Sequence, residues 1–299
     1  MQGKRILVVG YGKLGRRVAN TLAQQHQVSA LKYRSIDSPD HLQLLFADVR
    51  HVDSLRAAFG SSMTQAFDYL IYCLSPSERS EKGYQDAYLF GLQNVLASLP
   101  NASSLQHVFF VSSSSVYHQE HDEWVDEDSE CLPQTYSGKV LLAAENVLST
   151  LSMPTTAIRF SGIYGGTRSR LMDHVKSAMT SGETLQAAPG FTNRIHEDDC
   201  LGFICHLVDL INSGQTIENR YLASDACPVA KSEVFAFIAK TLSERMTDYR
   251  DKAVKMETSQ NPALRRVGSK RCRNTRMLAS GYALKYASYK EGYARALLD

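Results

Sequence analysis

No stretch of this chain approaches the roughly 18 consecutive apolar residues that a membrane-crossing helix needs, so a spanning protein is not expected. Nor does a basic patch lead into a cleavable apolar segment. The first residues run directly into the apolar stretch Arg5 to Val9, so no secretory leader is expected. Paired cysteines are missing too: Cys73, Cys131, Cys200, Cys205, Cys227 and Cys272 contain no C-x-x-C. That pattern suits a reducing compartment, and a cytoplasmic location is expected. Cys200, Cys205 and His206 lie near His196, but metal-site spacing is absent and apolar neighbours surround them. Core packing is expected of them, and no metal. Charge of one sign is also lacking. A net charge of +2 over 299 residues argues against a dedicated nucleic-acid binder. There is no internal repeat and no low-complexity tract. What is present, 43% hydrophobic and 21% charged residues, is enough for one large or two modest domains with an ample core.

The stretch that organises the chain is KRILVVGYGKLGRRV, Lys4 to Val18. Arg5 to Val9 is the short apolar, β-branched run of a strand buried on both faces. It breaks at Gly10-Tyr11-Gly12-Lys13-Leu14-Gly15, a G-x-G-x-x-G, and Leu14, Val18 and Leu22 then recur at helical spacing. Such a turn lets backbone approach a pyrophosphate, while the helix N-terminus presents unpaired N–H groups and the positive end of its dipole. Alone the motif is weak; between a buried strand and a helix it predicts a dinucleotide site.

A second run, Val28 to Leu31, has the place of a second strand. In an NAD site a carboxylate about 20 residues beyond the glycines holds the ribose 2′-OH. Here the chain reads Lys32-Tyr33-Arg34-Ser35, with no acid before Asp37. A cation such as Arg34 suits the extra 2′-phosphate of NADP, because guanidinium makes charge-assisted, bidentate bonds to phosphate. NADP is the expected cofactor, with NAD left open. Further strands are expected at Leu42 to Phe46, Tyr69 to Leu74, His107 to Val111 and Thr155 to Phe160, with helices between them. That alternation predicts an α/β fold: a Rossmann-type, doubly wound parallel sheet with the ligand at the strand C-termini. Residues 1–164 are expected to form the cofactor domain, with 191–220 returning to it, and 165–299 a smaller substrate lobe. His118 to Glu130 reads as an acidic surface loop around Trp124.

Five words in this order carry a resemblance: Val8 to Gly15; Ala47-Asp48-Val49; Val111-Ser112-Ser113-Ser114-Ser115-Val116-Tyr117; Ile158 to Gly165 (IRFSGIYG); and Asn193 to Asp199 (NRIHEDD). The chain resembles an extended or atypical short-chain dehydrogenase/reductase of the NAD(P)-dependent epimerase/dehydratase-like branch, over most of its length. The resemblance implies that Asp48 and Val49 face the adenine and that Cys73, Leu74 and Ser75 line the cofactor. It implies further that Phe160 to Ile163 pass beside the nicotinamide, and that Ser113 hydrogen-bonds the substrate oxygen. Asn193 to Asp199 would fix the substrate lobe, with Tyr164, Arg194 and His196 toward the substrate.

The chain departs from that pattern at one chemically important place. In such enzymes a tyrosine moves the proton and a lysine four residues later lowers its pKa, since a phenol near pKa 10 is a poor base at pH 7. Here the stretch is Thr135-Tyr136-Ser137-Gly138-Lys139. Tyr136 and Lys139 are three apart, still neighbours on a helix. A register set by Ala144-Glu145 puts Ser137 and Leu141 at the two positions instead. Both registers stay open, with Tyr136 and Lys139 taken as the catalytic pair and Asp199, His196 and Tyr164 as alternative acid–base groups.

From Arg245 to Arg276 there are ten basic and three acidic side chains, a local excess of seven positive charges. Lys270 and Arg271 are the expected anion contacts, for a phosphorylated or nucleotide-sugar substrate. No nucleic-acid module and no membrane partner are expected, and a homodimer is one arrangement open to the chain. Two functions follow. One is an NADP-linked oxidoreductase or epimerase acting at a carbinol or carbonyl carbon. The other is an NAD(P)-binding sensor without turnover, its tyrosine–lysine pair degraded.

Overall fold

The computed structural model describes residues 3–34, 41–60, 66–166, 170–250, 252, 254–259 and 269–296. Asp37, and Asp251, Arg265 and Arg266 of the basic stretch from Arg245 to Arg276, lie outside these residues. The chain divides into two compact units, residues 1–116, 131–159 and 201–221 forming one, and 117–130, 160–200 and 222–299 the other.

A seven-stranded sheet is built from β1 (Arg5–Val9), β2 (Gln27–Lys32), β3 (Gln43–Phe46), β4 (Tyr69–Tyr72), β5 (His107–Ser113), β6 (Thr155–Phe160) and β7 (Arg220–Ala223). Their spatial order is β7-β6-β5-β4-β1-β2-β3. The β1–β2, β1–β4, β2–β3 and β4–β5 pairings are parallel. Such a sheet carries helices on its faces, so its strands must be apolar on both sides. Ile6 to Val9 and Tyr69 to Tyr72 are all essentially inaccessible to solvent. This is the Rossmann-type doubly wound arrangement, and the chain order reverses between β1 and β4, where such sheets bind ligands.

Helix α1 (Lys13–Leu22) buries Gly15, Val18, Ala19 and Leu22, the stripe its periodicity predicts. Helix α2 (Val52–Phe59) follows β3. Residues 81–98 form α3, which is α-helical over Glu81–Tyr84 and Gly91–Ser98 with a π segment at Gln85–Phe90. The carbonyl that this widened turn releases at Ala87 accepts the buried Tyr72 hydroxyl. Helix α4 (Tyr136–Ser149) is capped by Thr135, whose hydroxyl accepts from the Gly138 N–H. It is fastened to the sheet by Glu145, which takes hydrogen bonds from Arg159 (Nη2 to Oε2, 2.6 Å) and from the Ser112 hydroxyl (2.6 Å). The Arg159 and Glu145 side chains are 1% and 4% exposed, so this is a fully desolvated ion pair.

The second unit packs the helices Arg170–Ser181, Lys231–Arg245 and Tyr289–Ala296 around Met172, Val175, Phe235, Ile238 and Tyr293. Short strand pairs brace it. Arg194–His196 pairs with Gly162–Tyr164, and Lys270–Cys272 with Glu123–Val125. Asp199 is fully buried and accepts from the backbone N–H groups of Lys285 (2.7 Å) and Tyr286 (3.1 Å) and from the Tyr282 hydroxyl (3.1 Å). It pins the segment before the last helix.

Two features differ from the sequence reading. A seventh strand, Arg220–Ala223, was not expected, because its four residues follow a helix end with no distinctive run. His118 to Glu130, read as a surface loop, groups with the second unit, and within it Glu123–Val125 is paired as a strand. Among the described residues no helix is long and apolar enough to cross a membrane, and no group of three His, Cys, Asp or Glu could hold a metal.

Candidate functional site

The glycine turn leaves β1 at its C-terminal end. Gly10 has a φ of +103°, and a Cβ there would stand 2.7 Å from the Leu74 Cα. A Cβ on Gly15 would overlap the Gly10 carbonyl and lie 2.8 Å from the Cys73 sulfur. Both glycines are therefore required by the turn's own packing. Gly12 is different: a Cβ there meets nothing within 4 Å, and the residue is exposed. Gly12 is also the N-cap of α1, which has no side-chain cap and no acid in its first turn. An open glycine at an uncapped ten-residue helix leaves room and donors for an anion, which is the fit a dinucleotide pyrophosphate requires.

Beside the turn lies a cavity of about 130 Å³, formed where β2, β3 and β4 end. Lys32, Tyr33, Asp48, Arg50, Leu74 and Ser75 are among its walls. Asp48, Val49, Leu74 and Ser75 are thus brought together as expected, and Cys73 lies beneath the turn with its thiol against the Gly10 carbonyl at 3.6 Å. Burial pushes that thiol's pKa up to about 12, which makes it an inert packing group. Arg34 is exposed and is not among the residues lining the cavity.

Arg50 is the residue the sequence reading missed. Its guanidinium grips Asp48 (Nη2 to Oδ2 2.6 Å, Nε to Oδ1 2.9 Å) and lies 5.8 Å from the Tyr33 ring centre. The Arg50 hydrogen bonds hold the Asp48 carboxyl below its usual range. The available signal was the two-residue spacing of an acid and an arginine at a strand end.

Ser113 closes β5, half-buried, its Oγ accepting the Ser115 N–H at 3.2 Å. Gly138 of α4 lies against the same loop: a Cβ there would collide with the Ser115 carbonyl. Tyr136 is the first residue of α4, and its hydroxyl donates to the Arg79 carbonyl at 2.8 Å. Its ring meets Tyr84 edge-on, with centroids 5.4 Å apart. Lys139 does not share that setting. It is exposed and lines a separate groove with Cys131, Pro133, Leu142 and Asn146. Four residues before the anchored Glu145 stands Leu141, which is 3% exposed and cannot serve as a cation.

The remaining candidates belong to the second unit. Phe160 is buried and Ile163 half-exposed. Tyr164 and His196 are 6% and 5% exposed, core residues of this unit. The Tyr164 hydroxyl donates to the Ser288 carbonyl, and its ring stacks on Tyr293 at 4.7 Å. Burial raises the Tyr164 pKa and lowers that of His196. Arg194 donates to the Tyr293 hydroxyl at 3.4 Å. Lys270 is 9% exposed and reaches the Tyr117 carbonyl at 3.3 Å. The Arg271 guanidinium lies 4.1 Å from the Phe191 ring centre and 5.8 Å from that of Trp124.

A scan against protein-family models and a search of curated proteins return no match. Solved structures do match. A candidate NAD-dependent epimerase/dehydratase from Methylobacillus flagellatus is 34% identical, with a TM-score of 0.77 over 99% of this chain and 98% of that one. The Bordetella bronchiseptica enzyme WbmG, in complex with NAD, is 16% identical with a TM-score of 0.76, covering 99% of this chain and 93% of its own. A Thermus thermophilus UDP-glucose 4-epimerase complexed with NAD is 15% identical with a TM-score of 0.75, covering 98% and 97%. The latter two show the fold; the first, at 34% identity over nearly the full length of both chains, shows the family. With this glycine turn, this sheet order and that relative, the chain belongs to the NAD-dependent epimerase/dehydratase family of extended short-chain dehydrogenases/reductases.

Proposed function

We propose that the chain binds NADP(H) and acts at a carbinol or carbonyl carbon of a small anionic substrate, a nucleotide sugar or other phosphorylated compound being the class that the basic stretch from Arg245 to Arg276 suits. The observation that carries the reading is the open Gly12 at the uncapped start of α1, beside the cavity at the ends of β2 to β4. A bound nicotinamide supplies or accepts hydride. The chain's residues then hold and protonate the reacting oxygen. Ser113 donates a hydrogen bond to it, no described residue accepting its hydroxyl proton, and Tyr136 transfers the proton from the first turn of α4. The absence of a carboxylate at the end of β2, where Lys32 stands, supports NADP over NAD.

A second reading is favoured by one observation. Leu141 is buried where the Glu145 register puts the lysine, and Lys139 faces another groove. A tyrosine without its cation is a weak base, so the chain would bind the dinucleotide as a sensor without turnover. Tyr136→Phe separates the two. In an enzyme it lowers kcat at least roughly 10²-fold with dinucleotide affinity intact. A sensor shows no turnover with any carbonyl or nucleotide-sugar substrate offered, before or after the change.

A further inference from the structure

Resting on the reading that the cavity takes the adenosine half of a dinucleotide, we infer that Lys32 and Arg50, and not Arg34, recognise the 2′-phosphate. Lys32 is the last residue of β2, the position from which an NAD enzyme's carboxylate accepts the ribose hydroxyls. An ammonium there has no acceptor to offer a diol; it can only donate, which suits a phosphate.

The charges of the cavity wall support this. Two carboxylates line it, and each is already matched: Asp48 by Arg50 and Asp86 by Lys82 at 2.5 Å. Lys32 is the wall cation with no carboxylate partner among the described residues. Its ammonium makes a long 3.4 Å bond to the Tyr11 carbonyl of the glycine turn, one that a phosphate oxygen can outcompete.

Arg50 supplies the second arm. Its Nε and one Nη2 proton face Asp48, which leaves the Nη1 edge unassigned. The pair with Asp48 and the Tyr33 ring fix the plane of the guanidinium in advance, so little freedom is lost when that edge meets an anion. Arg34, exposed and outside the wall, lacks both supports.

The test titrates the whole chain calorimetrically with 2′,5′-ADP and 5′-AMP, which differ only in the phosphate at issue, and with NADPH and NADH. The wild type is expected to bind 2′,5′-ADP at least about tenfold more tightly than 5′-AMP, the worth of one charge-assisted bond. Lys32→Met and Arg50→Met should each collapse that ratio toward one. Arg34→Met should keep the ratio. A ratio that survives Lys32→Met and Arg50→Met, or that disappears in Arg34→Met, overturns the assignment. Equal wild-type binding of the two mononucleotides overturns it while leaving the dinucleotide reading intact. Failure of all four ligands to bind removes both. A measurement that needs no variant is the pH dependence of the wild-type ratio. It should shrink as pH falls through about 6, where a phosphate monoester loses its second charge; a ratio flat across that range contradicts the inference.

Discussion

Gly12 and Gly15 are three residues apart in one motif, yet they should fail in opposite ways when each is given a methyl group. At Gly15 the added Cβ overlaps the Gly10 carbonyl and sits 2.8 Å from the Cys73 sulfur. The obstruction is backbone, which cannot swing aside as a flexible side chain would. Gly15→Ala should therefore cost about 1–3 kcal/mol, the usual penalty for overfilling a packed site. At Gly12 the Cβ meets nothing, and the backbone there, φ −86° and ψ −158°, is one alanine readily adopts. Gly12→Ala should fold with unchanged stability. The methyl would nevertheless stand where a pyrophosphate approaches the uncapped end of α1. Loss of one charged hydrogen bond, about 1.5–3 kcal/mol, corresponds to a roughly 10- to 150-fold weaker dinucleotide. Urea denaturation and calorimetric titration of NADPH, run on both variants, read the two effects separately. Wild-type dinucleotide affinity in Gly12→Ala would rule out a pyrophosphate at this turn, and a stability loss there as large as in Gly15→Ala would show that Gly12 is packed and not open.

Other consequences are equally concrete. Glu145→Gln leaves the buried Arg159 guanidinium without its counter-charge, and urea denaturation should show a loss of about 3–5 kcal/mol; a loss under 1 kcal/mol would mean the pair is not desolvated as described. Asp225 is 1% exposed, and burial pushes its pKa up to about 7 from an ordinary 3.8. A carboxyl raised on folding binds its proton more tightly in the native state. Its stabilisation is present below about pH 4 and is lost as pH rises through about 7. Asp225→Asn should flatten that part of the stability–pH curve, and an unaltered slope would contradict it. Cys73, its thiol buried and its pKa near 12, should resist alkylation at pH 8 in the native chain and react on unfolding; rapid native labelling would place it elsewhere.

How much of this could be read from the sequence varied with how local the determinant is. The glycine turn and the six expected strands, β1 to β6, were legible because a doubly buried strand needs a continuous apolar run and a turn needs its glycines. The strand Arg220–Ala223 was not, since four residues carry too little pattern. The π segment at Gln85–Phe90 was not legible: the Tyr72 hydroxyl that meets its Ala87 carbonyl comes from β4, fifteen residues away in sequence. The site divided similarly. Asp48, Leu74 and Ser75 follow strand ends and line one cavity, a placement their positions in the pattern foretold; the contacts of Arg50 with Asp48 and Tyr33 exist only in space. Arg34 drew attention by its charge, but only packing could reveal that Lys32 lines the cavity and Arg34 does not. The register of α4 also had to wait for structure. Glu145 is held by Arg159 and Ser112, two residues distant in sequence, and that anchor puts Leu141 in the core and Lys139 on another face.

One paired titration decides whether the chain takes a nicotinamide dinucleotide with a 2′-phosphate, as proposed. NADPH and NADH are added in turn to the wild-type chain at pH 7.5 and followed by calorimetry. Saturable one-to-one binding of both, with NADPH at least about tenfold tighter, is the expected result. Saturable binding with NADH the tighter ligand would contradict the phosphate assignment, and no heat from either would contradict the site itself.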